Sequence, residues 1–188
     1  MGPDHGDRRH LEFEEVALVH MQRIYNAALR LTRNKPEAED LFQETYLRAY
    51  RFFHQFRQGT DCRAWLFAIL RNLFFTRVRQ APSVAVDFDE DRVYREAKHG
   101  SLLPQNPEIH LVHRLVGEDI QQAILALPPK LRLVVVLADL EGCSYQEIAE
   151  ICQCPIGTVM SRLYRGRQAL RTALRDYAKS EKTLKEDG

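Results

Sequence analysis

Apolar residues recur three or four apart through long stretches of this chain, and prolines stand where those stretches stop. That period belongs to helices that bury one face, and with 9 glycines and 8 prolines in 188 residues the chain reads as all-α. From Leu11 to about Arg33, the residues Phe13, Val16, Ala17, Ile24, Ala27, Ala28 and Leu31 keep the spacing, and Asn34-Lys35-Pro36 ends the run. A second helix starts there. Pro36 suits its first turn, Glu37, Glu39 and Asp40 favour the positive end of its dipole, and Ala38, Leu41, Phe42, Thr45, Ala49, Phe52, Phe53 and Phe56 follow on one face.

The polar loop Gln58-Gly59-Thr60-Asp61 interrupts the pattern, and Thr60 or Asp61 is placed to cap a third helix from about Arg63 to Arg79. Ala81-Pro82 closes this unit. From there to about His113 the periodicity fades around Pro104, Pro107 and the acidic knot Asp87, Asp89, Glu90 and Asp91. Residues 82–112 carry three bases against six acids, a net −3. Helices are then expected over about Leu115–Leu127, Lys130–Leu140, Ser144–Cys152 and Ile156–Lys179, with a Pro128-Pro129 break and a Glu141-Gly142 turn between them. The organisation is two helical domains, 1–81 and 113–188, joined by a flexible acidic linker over 82–112.

Charge and composition remove several classes. Lys+Arg at 27 against Asp+Glu at 26 leaves +1, so no uniformly basic coat exists and charge acts by segment. The densest apolar run, Leu133 to Ala138, is far short of a membrane span, so no membrane insertion is expected. Arg8-Arg9 precedes Glu12, Glu14 and Glu15 in place of an apolar signal core, which points to the cytoplasm. Cys62, Cys143, Cys152 and Cys154 are too few for a disulfide framework. Cys152-x-Cys154 near Cys143 lacks a fourth zinc ligand, and buried small side chains are the better reading. No metal and no cofactor are expected. An enzyme is not expected either: P-loop, H-E-x-x-H, G-x-S-x-G and dinucleotide fingerprints are missing, and His110-x-x-His113 makes no site alone.

Chemistry concentrates between Ser144 and Leu163, which has the grammar of a helix-turn-helix. Ser144 and Glu147 form a capping box, Ile148, Ala149 and Ile151 face inward, and Pro155 stands where a second helix begins. Val159 and Leu163 turn to the core, leaving Thr158, Met160, Ser161, Arg162, Tyr164 and Arg165 on or beside the outer face. From Ile156 to Arg175 the chain holds Arg162, Arg165, Arg167, Arg171 and Arg175 and no acid, which suits DNA phosphates. The third helix is a second candidate surface: Trp65, Phe74 and Phe75 with Arg63, Arg71, Arg77 and Arg79 pair aromatic rings with cations, as holders of unstacked strands do. Phe67, Ile69, Leu70 and Leu73 read as core, and Trp65, at a helix start after a polar loop, fits either role. Asp40, Gln43, Glu44 and Leu47 form a polar stripe with one surplus Leu, off the apolar face of the second helix.

With these motifs in this order, the chain resembles the extracytoplasmic-function (group four) sigma factors, the subunits that give bacterial RNA polymerase its promoter choice. Asp40 to Leu47 resembles the family's polymerase-binding helix, Phe56 to Asn72 its minus-ten reader and Leu127 through Arg167 its minus-thirty-five domain. The resemblance implies core RNA polymerase as partner, met at the β′ clamp coiled coil by Asp40, Gln43, Glu44 and Leu47 and also at the β flap. It further implies promoter DNA and an anti-sigma factor as partners. Gln58, Gly59, Thr60 and Asp61 are then expected to pocket a flipped base beside Arg63, Trp65, Arg71 and Asn72. Thr158, Met160, Ser161, Arg162, Tyr164, Arg165 and Arg167 are expected to meet the minus-thirty-five duplex. The rival reading, a helix-turn-helix regulator with an N-terminal sensor domain, leaves Asp40 to Leu47 unexplained.

Overall fold

The computed structural model describes residues 5–81 and 118–186; the expected linker lies outside the described residues. All regular structure among them is helical. In chain order come α1 (His5–Ala17), a 3-10 turn (Leu18–His20), α2 (Met21–Leu31), α3 (Lys35–Arg51), a second 3-10 turn (Phe53–Gln55) and α4 (Cys62–Gln80). After the linker follow α5 (Glu118–Ala126), α6 (Pro129–Val135), a π-helical turn (Val136–Leu140), α7 (Tyr145–Cys152) and α8 (Ile156–Glu186).

Local chemistry explains most boundaries. Asn34 caps α3, accepting from the Glu37 amide at 2.9 Å while its own amide donates to Glu37 Oε1 at 2.8 Å, and Pro36 sits in the first turn. Asp61, not Thr60, caps α4, its Oδ1 accepting from the Ala64 amide at 3.2 Å. The capping box of α7 is complete: Ser144 Oγ accepts from the Glu147 amide at 3.2 Å and Glu147 Oε2 from the Ser144 amide at 2.6 Å. The expected single helix from Leu11 to Arg33 is instead two, broken by the turn at Leu18–His20. There the Tyr46 hydroxyl donates to the Ala17 carbonyl at 3.0 Å, a tertiary bond at the point where the helix breaks. Burial pushes the Tyr46 phenol well above its ordinary value, so it stays a donor.

One buried cluster gathers Phe13, Ile24, Leu31, Leu41, Leu66, Phe67 and Leu70 from α1 to α4 together with Ile124, Leu133, Leu137, Ile148, Ile151 and Leu163 from α5 to α8. Thr45, fully buried, returns its hydroxyl to the Leu41 carbonyl at 2.7 Å, so the position carries no unsatisfied donor. No helix among the described residues is long and apolar enough to cross a membrane.

Candidate functional site

The loop before α4 is a tight turn held by its own residues. Thr60 donates through its amide (3.2 Å) and its hydroxyl (2.6 Å) to the Arg57 carbonyl, and Gly59 adopts φ +83°, which a side chain resists. Gln58, Gly59, Thr60 and Asp61 are all exposed. Gln58 is tied back to α1, its amide donating to Glu12 Oε2 at 3.1 Å. A rigid, polar, solvent-facing lip thus precedes the capped helix.

On α4 the expected residues divide. Trp65 is half-buried against Phe56 and Phe53, with ring centroids 5.1 Å and 6.4 Å apart, so its ring belongs to an aromatic cluster at the rim of the lip. Asn72 is exposed, and its Oδ1 accepts from Arg71 Nε at 3.1 Å and Nη2 at 2.5 Å. Arg63 pairs with Glu147 of α7 and lies 3.8 Å from Asp61. Phe74, expected among the strand-holding rings, is instead core, 3% exposed. It falls one helical turn from Leu70 on the buried face. Phe75 beside it stays half-buried at the lining of a cleft. Arg77 is committed to α3, donating to Glu44 Oε2 at 3.2 Å and to the Glu37 carbonyl at 3.2 Å.

The α3 stripe is largely outward. Asp40 and Gln43 are exposed, and Leu47 is 70% exposed, a large apolar surface with nothing of this chain over it among the described residues. Glu44 differs: Arg48 at 3.0 Å and Arg77 at 3.2 Å hold its two oxygens. It therefore joins α3 to α4 as well as belonging to the stripe.

The helix-turn-helix closes through Gln153, whose left-handed backbone (φ 52°, ψ 47°) ends α7. Val159 and Leu163 are buried as expected, and Tyr164 stands 54% exposed on the outer face of α8. Thr158, Met160, Ser161, Arg162 and Arg165 are half-buried around it. Ser161 Oγ donates to the Thr158 carbonyl at 3.0 Å. Arg167 turns inward, its Nη2 2.5 Å from Asp139 Oδ1, its Nε 3.1 Å from Oδ2 and its Nη1 3.4 Å from the Tyr145 hydroxyl. That bidentate clasp fixes α8 to the π-helical turn. Sequence reasoning missed one packing residue: a Cβ at buried Gly166 would lie 2.6 Å from Val135 Cγ2, so only glycine lets α8 approach α6 this closely. A lone glycine inside a helical pattern was the available signal.

Arg71 and Arg79 of α4 and Lys130 and Arg162 of the second domain line a cleft of about 430 Å³ between the two domains. Cys152 also lines it, its thiol pushed up to about 12, foremost by burial. Burial likewise raises Cys143 to about 12 and Cys62 to about 11. Burial thus favours the protonated, weakly nucleophilic thiol at all three. The cleft's chemistry is cationic and apolar, suited to anions.

These features agree with what the chain is similar to. Residues 18–82 match Sigma-70 region 2 and residues 117–170 match Sigma-70, region 4. The chain is 40% identical over 165 residues to the ECF RNA polymerase sigma factor SigE of Mycolicibacterium smegmatis, covering 86% of this chain and 61% of that longer relative. It is 35% identical over 170 residues to the ECF sigma factor SigW of Bacillus subtilis, covering 87% of this chain and 89% of SigW. Its fold matches the sigma factor RpoE of Bartonella quintana, solved in complex with the anti-sigma factor NepR, with a TM-score of 0.66, 29% identity and coverage of 87% and 97%. With a capped helix-turn-helix in the region 4 segment, a capped helix and polar lip in the region 2 segment, and relatives matched over most of their length, the chain belongs to the extracytoplasmic-function sigma factors of the sigma-70 family.

Proposed function

We propose that this chain binds core RNA polymerase and directs it to promoters, its first domain capturing the opened minus-ten strand and its second reading the minus-thirty-five duplex. The observation that carries this reading is a capped helix-turn-helix whose second helix has Tyr164 outward and five arginines without an acid from Ile156 to Arg175. Met160, Ser161, Tyr164 and Arg165 are the base readers. Thr158 and Arg162 hold the backbone, and Arg167 supports the helix from within. On the first domain, Trp65 offers a ring to a base that has left the duplex, Asn72 a hydrogen-bonding edge, Gln58 to Asp61 the lip, and Arg63 and Arg71 charge for phosphates. The exposed face of Asp40, Gln43 and Leu47, with Glu44 at its edge, is the docking surface for the polymerase. RpoE was solved with NepR, and by that likeness this chain takes an anti-sigma factor as a cytoplasmic partner.

Run-off transcription with core polymerase and a promoter library tests the whole reading, and promoter-specific transcripts are expected only with the chain present. Asp40→Ala with Gln43→Ala is expected to weaken core binding in a fluorescence titration while duplex binding by the full chain is unchanged. Core affinity equal to the parent's removes the stripe from the interface.

A further inference from the structure

The arginines of α4 and α8 divide by what they meet. Arg63 reaches Glu147, Arg77 reaches Glu44 and Arg167 reaches Asp139, so each of these has a carboxylate. Arg71, Arg79 and Arg162 have neutral acceptors instead. Arg71 donates to Asn72 Oδ1 and, across the seam between the domains, to Gln153 Oε1 at 3.2 Å. Arg79 donates to the Phe75 carbonyl at 3.3 Å, and Arg162 Nη1 lies 3.8 Å from Cys154 Sγ. All three line the cleft of about 430 Å³, which Lys130 joins from the second domain, and no acid stands among its lining residues. Cations gathered round a partly enclosed space repel one another, and a ligand that brings negative charge relieves that repulsion.

The rest of the wall is apolar. Residues 71, 75, 78 and 79 share a face of α4, so Phe75 and Val78 stand between the two arginines along the helix, and Leu133 of α6 adds apolar surface from the second domain. Phe75 is half-buried, and its ring is held by Phe74 with centroids 5.2 Å apart. A fixed aromatic ring beside guanidinium forks suits a flat ring joined to phosphates. The ring packs on Phe75, phosphate oxygens take the arginine forks, and a lysine adds a point charge. The volume falls within the range of small-molecule sites, about 300–1,000 Å³. Phosphate alone leaves the apolar wall in water, and an uncharged ring leaves the cations uncompensated.

We infer that this cleft is a binding site for a nucleoside polyphosphate, its phosphates among Arg71, Arg79, Lys130 and Arg162 and its base against Phe75. Such a ligand touches both domains at once, so its occupancy adds to the stability of the full chain. The site itself stands apart from the promoter reading. One consequence does rest on that reading: Arg71 and Arg162 are assigned above to DNA, so nucleotide and promoter draw on the same two arginines.

The test titrates the full chain with ATP, inorganic triphosphate and adenosine in separate arms, followed by calorimetry and by thermal melts. ATP is expected to saturate a single site about tenfold or more tighter than either fragment, and to raise the melting temperature. Arg79→Ala with Lys130→Ala is expected to weaken ATP and triphosphate alike by about tenfold. Phe75→Leu is expected to bring ATP down to the affinity of triphosphate and to leave triphosphate unchanged. Arg175→Ala, exposed on α8 outside the cleft, is expected to change none of these. A photoreactive azido analogue of ATP needs no variant, and on the parent chain it is expected to label the peptides of α4 or α6 that line the cleft. Absence of saturable ATP binding, ATP no tighter than triphosphate, affinity indifferent to Arg79 and Lys130, or label confined to other peptides each overturns the inference. All four leave the promoter reading standing, since run-off transcription decides that separately.

Discussion

Gly166 shows how one residue sets the position of a whole helix. Because a Cβ there would press to 2.6 Å on Val135 and approach the Leu131 backbone carbonyl, Gly166→Ala is expected to cost about 1–3 kcal/mol as overpacking outweighs any gain in helix propensity. Urea unfolding measures it, and parent-like stability would mean that α6 yields to α8. Trp65 packs within the chain and is proposed to meet a base as well. Its contacts with Phe53 and Phe56 predict a loss of about 2 kcal/mol in Trp65→Ala, below the full cost of a completely buried Trp. If the ring also stacks on a flipped base, the variant lowers permanganate reactivity of unpaired thymines, and a premelted bubble template restores transcription. A folded variant that the bubble does not rescue has lost something other than strand opening.

At the scale of elements, the caps are the local code that gives helices to both reading surfaces. Asp61 serves α4 and Ser144 serves α7, and removing either acceptor as alanine is expected to cost about 0.5–2 kcal/mol. The consequences differ because the neighbours differ. Asp61→Ala also disturbs the lip before Trp65, whereas Ser144→Ala keeps the backbone amide that holds Glu147 Oε2 and so spares the contact with Arg63. Thermal melts are expected to shift for both, and binding of single-stranded DNA is expected to fall only for Asp61→Ala. The Asp139–Arg167 clasp fixes the opposite flank of α8. Asp139→Asn is expected to weaken duplex binding uniformly across sequences, because it moves the helix without touching a base.

Two carboxylates at the seam make the whole molecule respond to pH in opposite senses. Burial raises the Glu141 carboxyl to about 7 against the pull of Arg23 and Arg30 from α2 and Arg63 from α4, with the Cys143 thiol its neutral neighbour. The folded chain thus keeps a proton there that the unfolded chain releases in the ordinary carboxylate range. The stability this adds is full below that range and is lost as pH rises through about 7. Glu147 is held below its ordinary value, first by the Ser144 amide and also by Arg63. Its contribution is present above the ordinary carboxylate range and is lost as pH falls through its lowered value. Glu141→Gln is therefore expected to gain stability over the parent progressively from about pH 5 to pH 8, read as the difference between urea midpoints. A difference that is constant across that interval would show that Glu141 is ionised throughout.

Helix order, the proline start of α3, the capped starts of α4 and α7, the helix-turn-helix and the polar lip were all legible in the chain. Each depends on residues within about four positions of one another, and backbone hydrogen bonding makes such signals local. Sequence alone did not give the break between α1 and α2, where a hydroxyl 29 residues away meets the Ala17 carbonyl. Nor did it reveal which arginines are taken up by partners within the chain. Arg167 finds Asp139 across 28 residues and Arg63 finds Glu147 across 84. The sequence by itself determined a pair of helical domains with a basic, acid-free stretch in the second and an aromatic, arginine-bearing helix in the first. Only the tertiary structure decided that α7 lies against α4, because a charge's partner is whatever helix packing brings within a few ångströms, and that distance is not encoded in spacing along the chain.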